Sequence, residues 1–274
     1  VGNCVFIASL SAVAWTMPQV ITTQSWTGAP PTRWSLASAP GRRTFSFYGG
    51  GVDPLDVSEQ VAVAIAAAGF VFARGRDADQ QWPATIEKAF ASWSQRAVDR
   101  PDMWAFDWVG TAVLGDQHPI VRLTGMRCNE WSLRWSAVGN PLLPASSFVL
   151  GDGTARLGTR IEAATDDAIW TVLSHLCPDG RTRFPAVTGG IAAAPTPPPH
   201  DLVAQHAYTI LGIEQRGARR YVVLRNPWGH QPATGPAVAL GMWQGLKLGD
   251  GGVFALDLTV FRSYFLKIVA AAAR

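Results

Sequence analysis

Gly2-Asn3-Cys4-Val5-Phe6-Ile7-Ala8-Ser9-Leu10-Ser11-Ala12-Val13-Ala14-Trp15 puts a cysteine at the start of an apolar run. The run is apolar on most sides, and its Ala and Ser residues permit close packing, so it predicts a buried helix over Val5 to Trp15. A helix N-terminus lowers a thiol pKa from its ordinary value of about 8.5. About 200 residues later stand His206-Ala207-Tyr208 and then Arg225-Asn226-Pro227-Trp228-Gly229. A histidine entering a strand and an asparagine before an aromatic complete a Cys-His-Asn constellation. In that reading Cys4 is the nucleophile and His206 its proton acceptor. Asn226 holds the second imidazole nitrogen, and Trp228 covers that hydrogen bond.

Each residue has a plainer reading by itself. A single cysteine on an apolar helix is usually a small buried hydrophobe. A lone histidine before a strand is more often structural, and Asn-Pro-Trp-Gly can be a turn with a core tryptophan. Their occurrence together, in this order and each in its own local context, selects the chemical reading.

Composition narrows the class. The 274 residues are 48% hydrophobic and 16% charged, enough for a large core and unlike a disordered chain. Net charge is +3 without a basic run, so no nucleic-acid partner is expected. Lys88, Lys247 and Lys267 are the only lysines among 23 basic residues, which with the abundant Ala, Gly and Pro fits a GC-rich bacterial gene. The apolar stretches Val5–Ala14 and Val61–Phe72 are shorter than the roughly 20 residues of a membrane-spanning helix, so no membrane partner is expected. Three cysteines, Cys4, Cys128 and Cys177, form no closed disulfide framework. A reducing compartment is favoured, because a thiol nucleophile must stay reduced. No secretory signal is visible. The sequence starts three residues before Cys4 without Met, and it reads as part of a longer protein with further domains.

The first part reads as helix-rich. Ser25–Arg43 is a Pro-, Gly- and Ser-rich surface excursion. Thr44–Tyr48 is a strand, Asp56–Ala68 a helix with Val57, Val61, Ile65 and Ala68 on one face, Phe70–Phe72 a strand, and Pro83–Ser94 a helix. From about Leu123 the texture becomes strand-rich. Short runs at Ser132–Ala137, Ser147–Leu150 and Arg160–Ala163 lead to a helix or strand at Ile169–Leu176 and a proline-rich loop at Ala192–His200. Strands follow at Ala207–Glu214, Arg220–Arg225 and Val253–Leu258, the first two forming a hairpin around Gln215–Ala218. Thr259–Phe265 is a last helix. The boundary falls near Met126–Glu130, giving a first unit over 1–128 that carries Cys4 and a second over 129–274 that carries His206 and Asn226.

Several blocks along the chain resemble the calpain family of cysteine proteases. Gly2-Asn3-Cys4 and the apolar run resemble its nucleophile motif, Gly-Asp-Cys-Trp. Leu202-Val203-Ala204-Gln205-His206-Ala207-Tyr208 resembles its histidine motif, and Leu224-Arg225-Asn226-Pro227-Trp228-Gly229 matches its asparagine motif without a gap. Phe70–Arg74 and Gln81-Trp82-Pro83-Ala84-Thr85-Ile86-Glu87-Lys88-Ala89-Phe90 resemble its strand and Trp-Pro-Ala-Leu-Leu-Glu-Lys-Ala helix. Leu123-Thr124-Gly125 resembles the end of its first lobe, and Gly251-Gly252-Val253-Phe254 through Phe261 its closing strand and helix. The resemblance implies an α+β, papain-like fold of two lobes, with a helix-rich first lobe, an antiparallel sheet in the second and the substrate cleft between them. It implies an endopeptidase in which Cys4 attacks the peptide carbonyl, His206 shuttles the proton and Asn226 orients His206, with a protein or peptide as substrate.

The sequence also departs from that pattern. The family's oxyanion glutamine lies six residues before the nucleophile, upstream of this sequence, so the isolated chain is expected to be a poor enzyme. Val5 stands for tryptophan and Asn3 for aspartate. Animal calpains bind calcium in both lobes of the protease core. Here Gly252 occupies the place of an acidic residue and leaves Asp250 as the one carboxylate of the closing turn. Calcium dependence is therefore not expected, and no other cofactor is implied. The alternatives are a peptide-binding module of the same fold that has lost activity, and an acyltransferase. Transglutaminases usually have aspartate as third member, so Asn226 favours hydrolysis. His118, His175, His200 and His230 lack metal-ligand spacing. Gly151-Asp152-Gly153 reads as a turn, and Cys128 and Cys177 as structural.

Overall fold

In the computed structural model the run after Asn3 forms α1 (Cys4–Thr16), one residue longer at each end than the pattern predicts. The structure describes residues 3–21, 42–48, 55–58, 63–64, 69–70, 82–94, 118–133, 148–149, 155–156, 165–189 and 199–272. Chain order then gives β1 (Arg42–Phe45), β2 (Leu55–Ser58), β3 (Val63–Ala64), β4 (Gly69–Phe70), α2 (Trp82–Ser94) and α3 (Pro119–Thr124). Next come β5 (Cys128–Ser132), β6 (Phe148–Val149), β7 (Ala155–Arg156), α4 (Asp166–Leu176), β8 (Ala186–Gly189), β9 (Ala207–Arg216) and β10 (Arg219–Arg225). The chain continues through β11 (Val238–Ala239), β12 (Gly241–Trp243), β13 (Leu246–Leu248), β14 (Val253–Asp257), α5 (Leu258–Tyr264) and β15 (Lys267–Ala271). The class is mixed α+β.

Seven strands form one antiparallel sheet in the order β11-β14-β10-β9-β8-β15-β5. Alternation along its strands divides two cores. Tyr208, Ile210, Val222, Leu224, Phe254, Leu256 and Ile268 pack with Ile169 and Leu173 of α4 and Phe261 of α5. On the other face, Ala207, Val187 and Val269 meet Ala8 and Ala12 of α1. Small side chains on α1 let it approach β9 closely: Thr209 Oγ1 donates to the Ala8 carbonyl at 2.8 Å, and Trp15 Nε1 to the Leu211 carbonyl at 2.9 Å. The opposite side of α1 buries Phe6, Leu10 and Val13 against Phe45, Phe47 and Phe90. Phe6 stacks on Phe90 of α2 with ring centroids 4.4 Å apart. A helix packed on both sides has no polar stripe, which explains the uniform apolarity of the run. Each large side chain buried there contributes about 1.5–3 kcal/mol.

The helix expected over Asp56–Ala68 is not found at 56–58 or 63–64, and the rest of that stretch lies outside the described residues. Residues 55–58 form a strand paired with β1 in the register Arg42↔Ser58 to Phe45↔Leu55, and 63–64 form part of a second hairpin. Leu55-Asp56-Val57-Ser58 alternates with period two, and β-branched Val57 is fully buried in the core with Phe45 and Phe47. The helical stripe and the strand alternation share Val57, and tertiary pairing decides between them. Ile169–Leu176, open between helix and strand in sequence, is helical from Asp166, with Thr165 Oγ1 accepting from Ala168 N–H as N-cap. The β9–β10 hairpin and the final helix form as read. The sequence readings over 25–41, 71–72, 151–153, 160–163 and 192–198 lie outside the described residues.

His118 had no role beyond its failure to match metal spacing. It caps α3: its Nδ1 accepts from Ile120 N–H at 3.2 Å, and the ring is buried. Burial first, and the nearby Lys267 charge second, pull its pKa from 6.5 to about 3. Between these values an unfolded chain binds a proton that the native chain refuses, so stability falls as pH drops from 6.5 towards 3. The slope is about 1.4 kcal/mol per pH unit, a few kcal/mol at full extent. His118→Ser, which retains an N-cap oxygen, is expected to flatten the fall of thermal midpoint between pH 7 and pH 4. Parallel curves for the two proteins would disprove this assignment.

Candidate active site

Cys4, His206 and Asn226 converge at one end of the sheet. β9 begins at Ala207, directly after His206, and the antiparallel β10 ends at Arg225, directly before Asn226. Arg225 pairs with Thr209 on one side and with Val253 on the other, so the start of β9, the end of β10 and the start of β14 lie together. The contact of α1 with β9 brings the helix N-terminus to the same end. Cys4 packs beside Ala207.

His206 is 4% exposed and Asn226 fully buried. His206 Nε2 lies 3.0 Å from Asn226 Oδ1. Trp228 N–H also donates to that oxygen at 3.1 Å, while Asn226 Nδ2 donates to the Gln231 carbonyl at 3.1 Å. Donor and acceptor together fix the amide orientation: its oxygen must face the imidazole. Nε2 then carries the proton, and Nδ1 is left as the basic nitrogen. The backbone N–H of Asn226 donates to the Gly252 carbonyl at 2.9 Å, tying the turn to β14. Gly252 has φ +77°, and a Cβ there would approach the Asn226 carbonyl at 3.0 Å. Glycine at 252 thus has a local cause, since a carboxylate-bearing residue would be strained and crowded against the Asn226 backbone.

Two rings hold the imidazole. Trp228 lies at 4.6 Å between ring centroids, tilted by 50°, and remains 42% exposed. It therefore covers His206 while still meeting solvent, and His230 stacks on it at 6.1 Å between centroids. Tyr208 meets His206 edge-on at 5.1 Å, and its hydroxyl accepts from Val203 N–H at 2.9 Å. The sequence reading assigned Tyr208 no role at the site. Its signal was the i, i+2 spacing from His206 along a strand, which puts the two side chains on one face. The Gln231 carbonyl left no sequence signal, because a backbone acceptor has no residue preference.

Burial pushes the Cys4 thiol up from its ordinary value, while the N–H groups of Ala207, Val5 and Cys4 itself act in the opposite direction. Burial also pulls the His206 pKa down, partly offset by its bond to Asn226. Both shifts favour the neutral forms of the thiol and the imidazole at rest. Such a pair can pass a proton from sulfur to nitrogen as sulfur attacks an electrophile. Cys128 and Cys177 lie elsewhere, and burial pushes both up to about 12. Among the described residues no group of three or more His, Cys, Asp or Glu could hold a metal ion.

No protein-family model matches the chain. Its sequence is similar to that of a thiol protease of Porphyromonas gingivalis, 26% identical over 283 aligned residues. That alignment covers 96% of this chain and 52% of the relative, so the chain spans about half the length of the protein it resembles and is related to it distantly along nearly its whole extent.

Proposed function

We propose that the chain is the catalytic core of a calpain-like cysteine endopeptidase with a papain-like arrangement. In this reading residues 1–128 form the lobe that carries the nucleophile, and 129–274 the lobe that carries the histidine and asparagine. The observation that carries the proposal is the buried His206 Nε2–Asn226 Oδ1 contact at 3.0 Å, under Trp228 and beside the helix that starts at Cys4. The distant likeness to a thiol protease supports the same chemistry. Cys4 Sγ attacks the peptide carbonyl as its proton moves to His206 Nδ1. His206 then protonates the leaving amine, and water, deprotonated by the same imidazole, releases the thioester. Asn226 keeps the ring in the required tautomer throughout.

Calcium has no role in this mechanism. The turn Gly249-Asp250-Gly251-Gly252 offers one carboxylate, and its Oδ1 already accepts from Gly251 N–H at 2.9 Å. A calcium site usually needs six to eight oxygen ligands.

The test is a peptide carrying a thiol-directed electrophile, applied to the full-length protein with calcium or with chelator and followed by peptide mapping. Modification is expected at Cys4 and not at Cys128 or Cys177, at equal rates in both conditions. The same protein should hydrolyse an unstructured protein to free carboxyl ends even when primary amines are supplied. Transfer to the amine instead of water would identify an acyltransferase. A Cys4 that resists the electrophile would leave a peptide-binding module.

A further inference from the structure

Glu87 lies fully buried on α2, and the proposed mechanism does not use it. Its Oε1 accepts a hydrogen bond from Asn3 Nδ2, across 84 residues of sequence, next to the cysteine. Asn3 itself is 9% exposed. It occupies the N-cap position of α1, where asparagine is among the strongest capping residues. A capping asparagine would accept from the N–H of the second or third helical residue, here Val5 or Phe6. Asn3 makes no such bond. Only its backbone serves the helix, its carbonyl accepting from Ile7 N–H at 3.0 Å. The Val5 amide consequently remains available, as does that of Cys4, which a cap would not engage, and both act on the Cys4 thiol.

We infer that Glu87 is a positioning residue for the reaction: it holds the Asn3 side chain away from its own helix, so that the Val5 amide serves the Cys4 sulfur instead of a cap. This rests on the assignment of Cys4 as nucleophile. The physical case is one of competition. Asn3 gains about 1 kcal/mol by capping. Withdrawing Asn3 from the fully buried Glu87 carboxyl would take a partner from a buried acceptor, at about 1–3 kcal/mol, so the bond to Glu87 wins. Helix stability is thereby given up at the residue before the thiol, where the freed Val5 amide has a chemical use. The carboxyl group of this arrangement sits on α2, and the first turn of α1 contains no acidic residue of its own.

The test uses the full-length protein and three variants, with kcat and KM measured well below each melting temperature. Glu87→Gln keeps an acceptor for Asn3 and is expected to retain kcat within about threefold. Glu87→Met removes the acceptor at similar volume, releases Asn3 to cap Val5, and is expected to lower kcat at least tenfold with KM little changed. Asn3→Ala has no side chain to cap with. It should retain kcat within about threefold by itself and restore most of the loss when added to Glu87→Met. A purely structural role for Glu87 would leave Asn3→Ala unable to rescue, and that result overturns the inference. A Glu87→Met variant with normal kcat also overturns it, as does a tenfold loss in Asn3→Ala alone. The last of these decides the matter even if Glu87→Met does not fold. Wild-type protein lacking Cys4-dependent cleavage would instead refute the proposed function, so the two failures are distinct.

Discussion

Cys4→Ala in the full-length protein is expected to lower cleavage of an unstructured protein at least a thousandfold, with a thermal midpoint within a few degrees of wild type. The large effect follows because no other group at the site can form the acyl intermediate. In a comparable triad, removing the nucleophile costs as much as removing the whole triad. The small effect on folding follows from local structure. Cys4 is only half-buried at the first position of α1, alanine is the best helix former, and the loss is one sulfur atom. Kinetics with a fluorogenic protein substrate and a melting curve on the same preparation check both halves. Undiminished cleavage by a folded variant would remove Cys4 from the mechanism.

His206→Ala and Asn226→Ala are expected to differ in kind. Without His206 the proton of Cys4 has no acceptor, and burial holds the thiol up, so turnover should fall at least a thousandfold. Alkylation of Cys4 at neutral pH should slow at least tenfold. Without Asn226 the imidazole remains between Trp228 and Tyr208, which keep its plane. What is lost is the acceptor that fixes the tautomer and raises the His206 pKa, so the ring becomes a weaker base. A fall of roughly ten- to a hundredfold in kcat is expected. Removing this buried amide also breaks its part-buried bonds with Trp228 N–H and the Gln231 carbonyl, a destabilisation of about 1 kcal/mol for each hydrogen bond lost. Equal kinetic damage from the two substitutions would mean that Asn226 does more than orient.

Much of the site was legible because its chemistry constrains residue type. A thiol nucleophile, an imidazole and a side-chain amide have few substitutes, and each stands in a local pattern set by its neighbours. The helix after Asn3, the strand after His206 and the turn at Asn226-Pro227 follow from apolar runs, β-branched residues and proline. The likeness of Glu87 to part of a family helix was also legible, but its hydrogen bond to Asn3 was not. That contact spans two elements far apart in sequence, and periodicity describes only one element at a time.

The sequence by itself determined the mixed α+β class, the buried helix at Cys4, the β9–β10 hairpin and the identities of the three candidate catalytic residues. Those features depend on near neighbours, where propensity and alternation act directly. Tertiary structure decided that residues 55–58 pair as a strand, that His118 caps α3 in a buried site, and that Tyr208 and Trp228 grip the same imidazole. It also decided that Asn3 bonds to Glu87 instead of capping its own helix. For residues 55–58 and for Asn3, two local solutions lie within about 1 kcal/mol of each other. Burial and a partner distant in sequence contribute more than that difference and make the choice.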